Sequence, residues 1–391
     1  MKSLISFLSA VSTAAAAVCP SPLYSVQGAN TFVSRDYAQG LRNGQPFITY
    51  EHGVAWRALE MVYNATQNAS YVNHIKSGVD NIVTAEGGLE DYNLTYYTLD
   101  DIRIGETLIY LNGETGEDKY KGAADLLRSQ LQTNPRNKAG GFWHRSTYPN
   151  QMWLDGLYMV SPFYAHYTAV YDPSNTTAFD DIVKQFTLTH TNCVNSNTSQ
   201  TGLLKHGYDE SHTAVWADTA TGASPECWDR ALGWYVLAIV DVLDYLPSSH
   251  PGVSTLKSIL DETIAGIKNA IDADSGLWWL VMSQPGKTGN YIESSGGAMF
   301  IYAMLKGIRM GYLDSATYLS TATGAYEKLV DKFVGVNGTD GGLDWEGTVS
   351  VGSLSGNGDF DYYISVALST NDLKGFGPFI MASVEYEKAL C

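Results

Sequence analysis

The chain has 391 residues, 45% hydrophobic and 17% charged, which excludes wholesale disorder. Lys and Arg number 24 against 41 Asp and Glu, a formal charge of −17; so acidic a surface is a poor partner for nucleic acid or an anionic membrane. Charge is scarce while Tyr (26), Trp (9) and Phe (12) are abundant, a balance shared by many extracellular sugar-handling proteins.

The chain opens with a basic residue, Lys2, a short apolar run from Leu4 to Val11 and small residues from Ala14 to Ala17. That is the pattern of a secretory leader. The apolar run is too short to span a bilayer, and no later stretch is long enough either. Residues 1–17 are therefore expected to be removed and 18–391 to form one secreted, extracellular domain. Loss of Lys2 takes the charge to −18. Sequons at Asn64, Asn68, Asn93, Asn175, Asn197 and Asn337 agree with export and glycosylation. The four cysteines, 19, 193, 227 and 391, include no C-x-x-C pair, so nothing suggests a zinc or redox centre, and no metal or cofactor is expected. One or two disulfides are expected in an oxidising compartment, with Cys193 and Cys227 favoured because they flank one loop region. The alternative is that both are small buried hydrophobes.

In chain order, helices are predicted over 30–41, 50–63, 71–84, 101–112, 118–132, 153–167, 177–191, 230–246, 253–271, 294–310, 315–333 and 376–390. From the third pair on they alternate in character. A polar, one-faced helix is followed by a loop rich in Gly and aromatics, then by a helix apolar nearly all round. The loops begin near residues 140, 202, 276 and 341. A helix apolar on every face must be surrounded by protein, whereas a striped one can lie outside. Twelve helices in six hairpins then build an inner and an outer ring. The predicted fold is all-α, a single (α/α)6 toroid, with an open α-solenoid as the alternative. Short strands in the loops are compatible with it.

Polar residues interrupt the inner helices at their starts: Asp155, Arg230 and Glu293. Parallel inner helices gather those starts at one mouth. The adjoining loops bring Trp143, His144, Arg145, Trp153, His206, Trp228 and Trp234. Flat aromatics beside Arg, His and Asp suit an acidic sugar, because rings stack on C–H faces and Arg forks a carboxylate. Asp155, in Gln151-Met-Trp-Leu-Asp155-Gly, reads either as a helix cap or as a general acid in apolar surroundings. Asp100 and Asp101 open another inner helix in the same way. Arg230 and Trp234 share a helix face, which also allows Trp234 to be core and Arg230 to pair with Asp229 or Glu226.

Met152-Trp-Leu-Asp155-Gly-Leu-Tyr-Met, His206-Gly-Tyr-Asp-Glu, Trp216-Ala-Asp, Ser224-Pro-Glu-Cys-Trp-Asp-Arg-Ala-Leu-Gly-Trp234 and Asn371-Asp-Leu-Lys-Gly-Phe-Gly-Pro, taken in order, resemble the unsaturated rhamnogalacturonyl hydrolases, glycoside hydrolase family 105. Cys227 and Asp229 stand where that family commonly has an aromatic and a Gly. The resemblance implies an (α/α)6 barrel that removes a 4,5-unsaturated galacturonyl residue from the non-reducing end of lyase-generated pectin oligosaccharides. Asp155 matches its acid/base, which protonates C4 of the enol ether while water adds at C5. Asp100, His206, Trp228 and Arg230 match residues lining the subsite, with Arg230 a carboxylate partner; His144, Arg145, Trp153 and Trp234 are further wall residues. The expected partner is the unsaturated uronyl oligosaccharide, and a monomer is favoured. An unsaturated glucuronyl hydrolase, an inverting glycosidase with Asp100 and Asp155 as its two carboxylates, a uronate lyase and a non-catalytic sugar-binding barrel are the alternatives.

Overall fold

Apolar residues at helical spacing, broken by Gly-rich loops, fold in the computed structural model into thirteen helices among the described residues, 19–391. The expected leader lies outside them. The helices are α1 Tyr24–Ser34, α2 Tyr50–Thr66, α3 Ala69–Asp80, α4 Gly105–Thr115, α5 Asp118–Thr133, α6 Leu154–Tyr171, α7 Thr176–Asn192, α8 Asp229–Val242, α9 Gly252–Asn269, α10 Ser294–Arg309, α11 Ser315–Phe333, the short α12 Phe360–Ser365 and α13 Leu373–Leu390. Burial separates them into two rings. Every residue of α8 is buried, as are Ser294 to Gly307 of α10. In α9 only one stripe is, including Leu256, Leu260, Ile264 and Ile267. The inner helices α2, α4, α6, α8, α10 and α13 each pack on the next, and α13 packs on α2. The ring is closed, so the fold is the (α/α)6 toroid rather than the open solenoid. No helix among the described residues is long and apolar enough to cross a membrane.

Three local expectations are corrected. The first helix is Tyr24–Ser34 and not 30–41: Asp36 and Ala38 take left-handed φ values of 50° and 58°, which a helix cannot carry. Its N-cap residue is Leu23, which provides no side-chain cap to read. Asp100 and Asp101 open a 3-10 turn, Asp100–Ile104, ahead of α4. The disulfide joins Cys19 to Cys391 across a sequence separation of 372, and the favoured Cys193–Cys227 pair is not formed. Ring closure brings the two ends together, a contact no local spacing announces. Cys193 and Cys227 are buried free thiols; burial pushes the Cys227 thiol up to about 12, so both behave as small hydrophobes.

Among the described residues, eight short strands form four antiparallel pairs in the loops: β1 Leu41–Arg42 with β2 Gln45–Pro46, β3 Gln151–Trp153 with β4 Gly207–Asp209, β5 Val334–Val336 with β6 Leu343–Trp345, and β7 Thr348–Val349 with β8 Leu368–Ser369.

Candidate active site

The β3–β4 pair assembles the centre of the mouth. Trp153 faces Gly207 in its register, and the Leu154 N–H donates to the His206 carbonyl at 2.9 Å. A Cβ at residue 207 would sit 2.7 Å from the Met152 carbonyl oxygen, so only glycine lets the strands close. The chain then enters α6, with Asp155 in its first turn. Trp153 holds the cap position, so Asp155 is not the cap. Its Oδ2 lies 2.8 Å from His206 Nε2, at ion-pair distance but with the imidazole N–H poorly aligned for a full hydrogen bond. On the far side of the ring, His206 Nδ1 lies 2.6 Å from the Tyr363 hydroxyl. A tyrosine donating there leaves Nε2 as the protonated nitrogen, facing Asp155.

Burial pushes the Asp155 carboxyl up, but the nearby imidazoles of His206 and His144 pull it down, and the balance falls below its ordinary value. The free site therefore holds Asp155 ionised at neutral pH. Burial lowers His144 and raises the Tyr363 phenol.

A second backbone link builds the opposite wall. Leu99 N–H donates to the His144 carbonyl at 3.0 Å, and Thr98 bridges to Arg145. This sets Asp100 against Arg145, whose Nη2 donates to Asp100 Oδ2 at 2.7 Å while Nε has no partner. His144 Nε2 is 3.6 Å from Asp100 Oδ1. His144, Trp153 and Tyr148 stack, with ring centroids 4.3 and 4.8 Å apart, and the edge of Trp153 meets His206. Asp155, Asp100, Arg145, His144 and Trp153 line one cavity of about 240 Å³, room for a single sugar ring.

Sequence reasoning missed several cavity residues. Tyr50 and Glu51 come from the start of α2, Tyr148 from the loop after Arg145, and Val351 to Ser353 from a Gly-rich loop. Glu51 is held by Lys374 Nζ at 2.8 Å. The available signals were a polar start to an inner helix and glycines beside it. Tyr363 had none, since it lies 157 residues from His206.

Other expected site residues sit behind the cavity. Trp228 is buried, stacked on Tyr363 and tilted against His206, and Gly352 presses on its ring. Trp234 is core: it stacks on Tyr158 and meets the edge of Tyr50. The Arg230 guanidinium is buried and donates to Ser295 Oγ at 2.7 Å, to Glu293 at 3.3 Å, to Ser350 O at 3.3 Å and to the Val349 carbonyl. It is thus engaged by protein and does not line the cavity, contrary to its expected exposure to a substrate carboxylate. Asp229 is buried beside Glu293, and burial raises its carboxyl well above its ordinary value. A Cβ at residue 296 would meet its Oδ2 at 2.4 Å, so Gly296 makes its room. Among the described residues, no three His, Cys, Asp or Glu side chains converge as metal ligands.

A closed double ring of helices whose mouth gathers a carboxylate–imidazole–phenol chain, an Arg–carboxylate pair and stacked aromatics defines a sugar-processing (α/α)6 enzyme. The chain belongs to glycosyl hydrolase family 88, whose model matches residues 26–390. A family 105 glycoside hydrolase from C. acetobutylicum ATCC 824 superposes with a TM-score of 0.88 at 37% identity, over 93% of this chain and 99% of that one. The unsaturated rhamnogalacturonyl hydrolase YesR of Bacillus subtilis (strain 168) is 27% identical over 259 residues, 65% of this chain and 69% of YesR. An unsaturated glucuronyl hydrolase specific for heparin shares the fold, at 15% identity and a TM-score of 0.66, over 93% of this chain and 96% of that one. The protein is a glycoside hydrolase, and its resemblance to the family 105 enzymes holds.

Proposed function

We propose that the enzyme removes a 4,5-unsaturated galacturonyl residue from the non-reducing end of lyase-generated rhamnogalacturonan oligosaccharides, outside the cell. The observation that carries this reading is Asp155 in a one-sugar cavity, backed by His206 at 2.8 Å and flanked by an aromatic stack. Arg145 is the suitable fork for the uronate carboxylate, because its part-exposed guanidinium lines the cavity. A second negative charge entering the cavity raises the Asp155 carboxyl and draws a proton onto it. Asp155 then passes that proton to C4. Water adds at C5, with Asp155 as the base that receives its proton. The resulting hemiketal opens by breaking the C5–ring oxygen bond, and C1, now a hemiacetal, expels the aglycone as its alcohol. The substrate brings its own activated alkene, so no covalent nucleophile is needed. An inverting mechanism needs a free second carboxylate, and Asp100 is held by Arg145 at 2.7 Å.

The test follows ultraviolet absorbance of the conjugated alkene in lyase-generated oligosaccharides. Absorbance is lost with the intact enzyme, and Asp155→Asn slows that loss by about 10³-fold or more while leaving the fold intact. An active Asp155→Asn variant, or a rise in absorbance on intact polymer, overturns the proposal. Rates on galacturonyl and glucuronyl substrates decide the sugar. Export is supported by the Cys19–Cys391 disulfide, which begins two residues beyond the expected cleavage point. N-terminal sequencing of protein from culture medium tests it; an uncleaved chain that stays in the cell refutes it.

A further inference from the structure

A larger cavity, of about 540 Å³, shares no lining residue with the active site. Three segments wall it. Residues 198–203 lead on to His206, the C-terminal end of α9 contributes Asn269, and residues 279–285 run from the loop before α10. The last of these is tied to the mouth, because Met282 N–H donates to the Cys227 carbonyl at 2.8 Å.

The walls are pinned and therefore preformed. Gly202, at φ +89°, lies so close to α9 that a Cβ there would be 2.4 Å from the Glu262 carbonyl oxygen. Gly266 returns the contact, with a Cβ position 2.7 Å from the backbone of residue 202. Gln200 Nε2 donates to the Ser283 carbonyl at 3.2 Å and joins the first segment to the third.

The chemistry of the lining is specific. Trp278 is fully buried, but its neighbour Trp279 keeps part of its indole in solvent inside the groove. Asp272 lines the groove as well, its carboxylate accepting from the Ser275 N–H at 2.8 Å. Met282 and Pro285 add apolar surface, Asn269 brings an amide and Thr198 a hydroxyl. A part-exposed aromatic plate rimmed by neutral polar groups is a usual way for a protein to hold a pyranose. Among the described residues of the lining, Asp272 is the one that is formally charged, so the groove disfavours a uronate.

We infer that this groove is a second carbohydrate site, selective for uncharged sugar units and separate from the catalytic cavity. Two sources supply that chemistry. One is a neutral portion of a bound polysaccharide. The other is a glycan on the chain itself, since the sequon Asn197-Thr-Ser places Thr198 and Ser199 in the wall.

The experiment uses the full chain and its Asn197→Gln variant, both from a glycosylating host. Each is titrated with neutral tetrasaccharides of galactose, glucose, mannose and rhamnose and with trigalacturonate, by calorimetry and tryptophan fluorescence. A neutral oligomer is expected to bind and trigalacturonate not to bind at this site. Trp279→Ala weakens that binding about tenfold and Trp279→Phe less, while kcat/KM on a short unsaturated disaccharide stays within about twofold. Binding seen only in Asn197→Gln supports the same site, filled by the chain's own glycan. Absence of Trp279-dependent neutral-sugar binding in both proteins, with thermal melts unchanged, overturns the inference, as does tighter Trp279-dependent binding of trigalacturonate.

Discussion

Tyr363 shows how much of the chemistry depends on single atoms. Its hydroxyl, 2.6 Å from His206 Nδ1, fixes the imidazole that faces Asp155. Tyr363→Phe keeps the ring stacked on Trp228 and removes only that contact. We expect kcat to fall about tenfold with KM little changed, the magnitude usual for a partner that orients a working imidazole. An unchanged kcat on lyase products would show that the hydroxyl is dispensable. Asp101 offers a second measurement. Burial, and then the neighbouring Asp100 charge, push its carboxyl up to about 7, against an opposing pull from Arg145. A carboxyl raised on folding favours the native state while protonated and opposes it once ionised, so its penalty grows as pH rises from about 4 to 7. Asp101→Asn is expected to match the parent near pH 4 and to exceed its stability by roughly 2–4 kcal/mol at pH 8. Denaturant unfolding across that range checks the sign.

At the level of elements, close approach is what lets the inner helices form one ring. Gly105 opens α4 where a Cβ would stand 2.4 Å from the Phe163 ring of α6. Gly105→Ala must push those helices apart, at a cost of roughly 1–3 kcal/mol, the usual range for overpacking. The melting temperature should fall, and kcat with it, because α4 and the 3-10 turn carrying Asp100 are continuous. A variant as stable as the parent would show that the helices have slack. The site itself belongs to connections between elements. The β3–β4 pair sets Asp155 against His206, and the bridge from Thr98 to Arg145 sets Asp100 in place.

The toroid as a whole is closed by α13 on α2 and by the Cys19–Cys391 bond. A cross-link spanning nearly the whole chain restricts the unfolded ensemble strongly. Reduction, or paired replacement of both cysteines by Ser, is expected to lower stability by roughly 3–5 kcal/mol, while Cys193→Ala or Cys227→Ala, which leave that bond intact, should show no such loss beyond a packing defect. Thermal melts with and without reductant measure the difference. A melt insensitive to reductant would mean that ring closure alone secures the ends.

The all-helical class, the alternation of buried and striped helices and the gathering of Asp155, His144, Arg145, Trp153 and His206 at a mouth were legible in the sequence. Each rests on periodicity, glycine placement or a polar residue at a helix start, and those signals are local. Only the tertiary structure decided that Cys19 meets Cys391, that Tyr363 reaches His206 and that Trp234 and the Arg230 guanidinium lie behind the cavity. Residues far apart in the chain become neighbours only when the ring closes, and whether an arginine faces solvent or a ring of carbonyls depends on which loop folds over it. For Arg230 that loop carries Val349 and Ser350, some 120 residues away.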